Sequence, residues 1–224
     1  MTPPRITASL VAGVLAVVLG SLTGCRALTD TSAAAPRGGA AAGSPGTTPK
    51  VAAQGVVHTG RGWTTAGIQG HVPAPGSCYY RHTRDGEVLP DPHCTPGAVD
   101  QAVTQASIEQ TICRAGGYSD SVRPPEAMTE ALKYKMLAAY GVPGSKIGEY
   151  ELDHVVSVSL GGSSSTYNLW PEPNVDAGRY ARSEYVANDK DEIEHRAWEA
   201  VCDYQAKLGR TQRTMATNWT KFAD

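Results

Sequence analysis

Three stretches of this chain set chemically useful residues in one order: Tyr150-Glu151-Leu152-Asp153-His154, Asn168-Leu169-Trp170-Pro171-Glu172-Pro173 and Asn188-Asp189-Lys190-Asp191-Glu192-Ile193-Glu194. A histidine beside a carboxylate suits phosphodiester hydrolysis. An imidazole, whose free pKa lies near the working range, can take a proton from water close to neutral pH. A cation held by the carboxylate would neutralise charge as it develops in the transition state. His154 is therefore the candidate general base and Asp153 the candidate cation ligand. Each residue also has a plainer reading. Asp153-His154 could be a strand-end pair with a satisfied imidazole, and Asn168 could simply close a turn. Asn188 or Asp189 could be a helix N-cap, and Lys190 with Glu194 has the spacing of an ordinary i,i+4 surface pair.

The elements that must position these residues follow from the pattern around them. Tyr150, Leu152, Val155, Val156, Val158 and Leu160 form a β-rich, partly alternating run that Gly161-Gly162 and three serines end in a turn. A second apolar run from Tyr167 to Trp170 is expected to stop at Pro171 and Pro173, because proline cannot donate to a ladder. From about Asn188 the period becomes helical, with Ile193, Ala197, Ala200, Val201 and Tyr204 on one stripe and Asn188, Asp191 and His195 on the other. The order is strand, turn, strand, long loop, helix. Trp170 and Trp198 are expected in the core rather than as base-stacking residues.

The ordered set Asp153-His154, Gly161-Gly162, Asn168-Leu169-Trp170-Pro171 and Lys190-Asp191-Glu192-Ile193-Glu194 resembles the HNH endonuclease superfamily. More closely, it is similar to secreted actinobacterial proteins of that type, and the looser similarity reaches back to about Cys78. The resemblance implies a ββα-metal finger over residues about 148–202, with His154 as base and Asn168 orienting the histidine strand. It implies Asp153 and Asn188 as metal ligands. Many members carry histidine where this chain has Asn188, so Asp191 and His195 are the alternates. Oxygen ligands favour Mg²⁺ or Mn²⁺ over Zn²⁺. Lys190 would contact a phosphate, and the substrate would be nucleic acid, DNA first.

The amino terminus addresses the protein. Arg5 precedes an apolar run from Ile6 to Leu22 that ends at Leu22-Thr23-Gly24-Cys25 and resembles a bacterial lipoprotein signal with its lipobox. Residues 1–24 read as the signal peptide and Cys25 as the lipidated residue, anchoring the exported protein to the cell membrane. An uncleaved anchor is the other reading, but about 17 apolar residues is at the short limit for a span. Residues 25–55, dominated by Ala, Gly, Ser, Thr and Pro, read as a disordered tether. Cys78, Cys94, Cys113 and Cys202 contain no Cys-x-x-Cys pair, which argues for two disulfides in an oxidising compartment rather than a zinc site. Of the three connectivities, Cys78–Cys94 with Cys113–Cys202 is preferred. The first closes a short Pro- and Gly-containing loop, and the second would staple an upstream helix to the finger helix.

For the remainder, residues 56–75 look irregular, and Cys78 to Arg84 is expected as a strand turning at Asp85-Gly86 toward Val88 and Leu89. Helices are expected over 99–113, 126–140 and about 209–222, the second ended by Gly141 and Pro143. The whole predicts one α+β domain over residues 56–224, mostly helical and disulfide-stapled, with the metal finger embedded in it. After residue 55 there are 16 Lys plus Arg against 21 Asp plus Glu, a balance of −5, whereas nucleic-acid binders usually carry a basic footprint. Arg81, Arg84, Arg114, Arg123, Arg179, Arg182 and Lys190 are the candidates for a local basic patch. A non-catalytic cell-surface lipoprotein using the same fold for binding is the rival, with hydrolysis of another phosphodiester a third reading. No motif points to an obligate protein partner.

Overall fold

The computed structural model describes residues 55–174, 181–182, 185–186 and 188–222, all within the unit from Thr47 to Asp224. The leader, Cys25 and the tether up to residue 54 lie outside these, as do Arg179 and the side chain of Arg182. The fold mixes helices with five small two-stranded sheets and two disulfides. Strand β1 (Val57–Thr59) pairs in parallel with β6 (Ala98–Asp100), while β2 (Trp63–Thr64) with β3 (Gly67–Ile68) and β4 (Arg81–His82) with β5 (Val88–Leu89) are antiparallel hairpins. Helix α1 (Glu126–Ala139) precedes β7 (Tyr150–His154), which pairs antiparallel with β8 (Leu169–Pro173). The backbone pair β9 (Ala181–Arg182) and β10 (Tyr185–Val186) leads to α2 (Asp189–Cys202) and α3 (Leu208–Asn218).

Several expectations hold in detail. α1 ends at Ala139, and Gly141 supplies the left-handed residue (φ 69°) that stops it. β7 begins at Tyr150 as expected, and α2 starts directly after Asn188. Asn188 is the N-cap, its backbone N–H donating to Asp191 Oδ2 at 2.9 Å within a capping box. α3 with the short 3₁₀ turn Trp219–Phe222 matches the last helix and buries Met215 and Trp219. Leu132 and Met136 of α1, Val155, Val156, Leu169 and Trp170 around the β7–β8 pair, and Ile193, Ala197 and Val201 of α2 share one core.

Three expectations are corrected. Residues 99–113 are not a helix: Ala98–Asp100 is a strand, and only Ile108–Gln110 makes a 3₁₀ turn. The hydroxyl of Ser107 accepts from the Thr104 N–H and donates to the Ala102 carbonyl, a local bonding pattern that competes with helix. Residues 56–75 are not irregular, since β1 to β3 lie there. The second strand does not stop at its prolines. Pro171 faces Leu152 and Pro173 faces Tyr150, two apart on a strand whose only neighbour among the described residues is β7. At alternate pairs of such a ladder the amides point away from the partner, so no donor is missing. The outward carbonyl of Pro171 instead accepts the Tyr80 hydroxyl at 2.8 Å.

The disulfides are Cys78–Cys94 and Cys113–Cys202, separated by 16 and 89 residues. Cys113 lies in a turn and not on a helix, so the second bridge ties that turn to the last residue of α2, beside a 2.8 Å hydrogen bond from Trp198 Nε1 to the Ile112 carbonyl. The loop-length dependence of crosslinking predicts a loss of about 4–5 kcal/mol when Cys113 and Cys202 are both changed to serine, against about 3 kcal/mol for Cys78 and Cys94. Urea unfolding of the two double variants checks this ranking.

Candidate functional site

Strand alternation sends Asp153 and His154 to opposite faces of β7. The β7–β8 register puts Glu151 opposite Glu172 and Asp153 opposite Trp170, so three carboxylates share the Asp153 face. The start of α2 brings Asn188, Lys190, Asp191 and Glu194 to them.

Lys190 is the centre of this cluster. It is 2% exposed, and its ammonium donates to Asp153 Oδ2, to Glu194 Oε1 and, at 2.8 Å, to the backbone carbonyl of His154. Glu172 Oε2 stands 3.7 Å from it. Burial alone would favour the neutral amine, but the three surrounding carboxylates outweigh it and hold the lysine protonated, well above its ordinary range. Burial alone would likewise lift the Asp153 carboxyl, yet the ammonium keeps it below the usual carboxylate range. The other acids go the opposite way. Burial, reinforced by Asp153, raises Glu151 to about 8 and Glu172 well above its ordinary value, and burial raises Glu194 to about 7. Asp191, also raised by burial, is part of the α2 cap.

On the other face, His154 is 6% exposed, and its Nε2 lies 3.0 Å from Ser164 Oγ. His154 lines a cleft of about 440 Å³ shared with Arg123, Glu126, Lys133 and Glu151. Burial pushes the imidazole down to about 4, with Arg123 and Lys190 adding to the effect against Asp153, so the ring is neutral at pH 7. Arg123 is exposed, and its guanidinium has no hydrogen bond or ion pair among the described residues. Arg81 and Arg114, by contrast, donate to the carbonyls of Pro90 and Gly117.

Asn168 is wholly buried, and its side chain makes four hydrogen bonds. Its Oδ1 accepts from the amides of Ala98 (3.1 Å) and Val156 (2.9 Å), and its Nδ2 donates to the carbonyls of Val156 and Ser163, both at 2.9 Å. It thereby fixes the loop that follows His154 and carries Ser164. Gly162 belongs to the same clasp: a Cβ there would meet the Val156 carbonyl oxygen at 1.7 Å.

The residues singled out in sequence are thus only partly gathered. His154 and Asn168 are linked through one loop, and Asp153, Asn188, Asp191 and Lys190 lie in one cluster. His195 is elsewhere, its side chain 62% exposed, stacked on Trp198 and paired with Glu199 at 3.3 Å. Lys190 is not on the surface, where a phosphate contact would need it. Its i,i+4 pairing with Glu194 exists, but buried. The carboxylates of Glu151 and Glu172 lie inside the quoted stretches but are not among the residues singled out in sequence, and Glu194 enters there only as a surface partner of Lys190. Their signal was the two-residue spacing from Glu151 to Asp153 and the cross-strand partner that antiparallel pairing gives it.

For a divalent cation, the donor set is chemically apt, being carboxylate and carbonyl oxygen. The arrangement does not fit one. Asp153 is bound by the Lys190 ammonium, Asn188 donates through Nδ2 to Glu151 and uses its oxygen in the α2 cap, and the carboxylates converge on an ammonium. Among the described residues no group of three or more His, Cys, Asp and Glu is arranged to hold a metal. Compared with protein-family models, curated proteins and solved structures, the chain matches none of them.

Proposed function

We propose that the protein is an exported HNH-type endonuclease that hydrolyses phosphodiester bonds, with DNA as substrate and His154 as general base. The observation that supports this best is the neutral imidazole at the end of β7, held by Ser164, on a residue that lines a cleft together with Arg123, whose guanidinium has no hydrogen bond or ion pair among the described residues. If Nε2–H donates to Ser164 Oγ, the Nδ1 lone pair accepts the proton of the attacking water. The water oxygen then bonds to phosphorus, the P–O bond to the leaving sugar breaks, and the departing oxygen keeps that electron pair and takes a proton from solvent. Arg123 would face the negative charge on the non-bridging oxygens. The ββα-metal fold rests on the order β7, β8, α2 together with the motif resemblance, and no step here runs through a metal. Export and lipidation at Cys25 rest on the leader sequence. The two disulfides fit an oxidising compartment. No described helix is long and apolar enough to cross a membrane.

The test is cleavage of plasmid and single-stranded DNA by the purified oxidised protein, with Mg²⁺ or Mn²⁺ and with EDTA. Cutting supports the reading. A folded protein that cuts neither DNA, RNA nor small phosphodiesters ends it and leaves the non-catalytic surface lipoprotein, a reading favoured by the buried ammonium that already satisfies Asp153. In a His154→Ala background, which prevents turnover, Arg123→Ala is expected to weaken single-stranded DNA binding about tenfold, the loss of one charge-assisted hydrogen bond, and to lower the salt slope by roughly one. Fluorescence anisotropy across a salt series measures both.

A further inference from the structure

The cage formed by Asp153, Glu172, Glu194 and the His154 carbonyl is built like a site for a hard cation, yet a lysine fills it. An ammonium has three N–H donors and no more. Lys190 spends them on Asp153, Glu194 and the His154 carbonyl. Glu172 therefore receives none from the ammonium: its carboxyl, raised by burial, shares a side-chain hydrogen bond with Asp153, while its Oε2, 3.7 Å from Nζ on a residue only 6% exposed, has no hydrogen-bond partner among the described residues. The cage thus offers one more oxygen than its occupant can bond. A divalent ion of the Mg²⁺ or Mn²⁺ class, with room for six oxygens, would bind all four and keep waters besides.

We infer that the Lys190 ammonium is the resident cation of this site, that the folded protein binds no divalent ion there, and that removing the ammonium turns the cage into a four-oxygen metal site. The ammonium also anchors the first turn of α2 to the end of β7, 37 residues earlier in the chain. Trading it for a free metal would cost that anchor. The inference holds whether or not the protein is a nuclease, because it concerns the free protein and not turnover.

Mn²⁺ binding followed by electron paramagnetic resonance, beside melting curves in EDTA and in Mn²⁺, tests it on the purified oxidised protein. The wild type is expected to take up no stoichiometric Mn²⁺ and to melt alike in both. Lys190→Ala is expected to bind one Mn²⁺ per chain and to melt roughly 5 °C or more higher with Mn²⁺ than in EDTA. One tightly bound Mn²⁺ in the wild type, lost in Asp153→Asn, overturns the inference, and so does a folded Lys190→Ala that binds none. Should Lys190→Ala not fold, reductive methylation of the wild type decides. Lys190 should stay unmodified while the exposed Lys135 and Lys146 react, and labelling of Lys190 at their rate would show that it is not held in the cage.

Discussion

Changing His154 to alanine is expected to cut the rate of DNA cleavage by about 10²- to 10⁴-fold, the usual contribution of a positioned general base. The imidazole is suited to that role by its surroundings. Ser164 fixes one nitrogen at 3.0 Å, and His154 lines the cleft. Burial keeps the ring neutral, so a lone pair is present throughout the neutral range, but a pKa pushed down to about 4 makes it a weaker base than the free imidazole and places the loss toward the lower end of the expected span. A merely structural histidine would give the same loss if its removal collapsed the loop, so two further readouts are needed. Circular dichroism and melting of the variant should stay close to the wild type, since the loop is held by Asn168 and not by the ring. Imidazole added to His154→Gly should restore part of the rate, which repair of a packing defect would not do. Wild-type cleavage by His154→Ala would sink the assignment.

The acidic balance of the domain does not decide against such an activity, because charge is distributed unevenly. Glu151, which lines the cleft, is raised by burial to about 8, so it holds its proton at pH 7 and adds no formal charge there. A count of formal charges therefore overstates the negative potential at the cleft.

What the sequence made legible, and what it hid, follows from how local each determinant is. The start of β7 and the helices α1, α2 and α3 were readable because their periodicity, caps and stop signals lie within the elements themselves, as with Asn188 before α2 and Gly141 after α1. The strand pairing of residues 98–100 was not, since Val99, Val103, Ala106, Ile108 and Ile112 have helical spacing. What defeats the helix is the side-chain bonding of Ser107 and the parallel pairing of β6 with β1, some 40 residues away. Prolines 171 and 173 misled because their cost depends on whether a second neighbour strand exists, which no short window can say. Lys190 is the sharpest case. Lys190-Asp191-Glu192-Ile193-Glu194 reads as a solvated helical face, and only Asp153 and Glu172, contributed by two strands distant in sequence, turn that face inward.

Asn168→Ala is expected to destabilise the protein by roughly 4–6 kcal/mol, because it strands several buried backbone groups at about 1–3 kcal/mol each. The amides of Ala98 and Val156 both give their hydrogen to Asn168 Oδ1, and both residues are fully buried, so bulk solvent does not replace the lost acceptor. The Ser163 carbonyl loses its donor as well. Asn168 therefore acts as a positioning residue: it joins β6, the end of β7 and the serine loop, and only through them sets the His154–Ser164 contact. Asn168→Asp separates this role from a chemical one. The aspartate retains the two acceptor bonds but turns an acceptor-only oxygen toward the Val156 and Ser163 carbonyls, so it should recover stability in urea unfolding only at a pH low enough to protonate it, where its hydroxyl donates to one of them. Its cleavage rate should follow the recovered fold, measured at a temperature where each variant is fully native. A variant with wild-type unfolding but abolished cutting would instead make Asn168 a participant in the reaction.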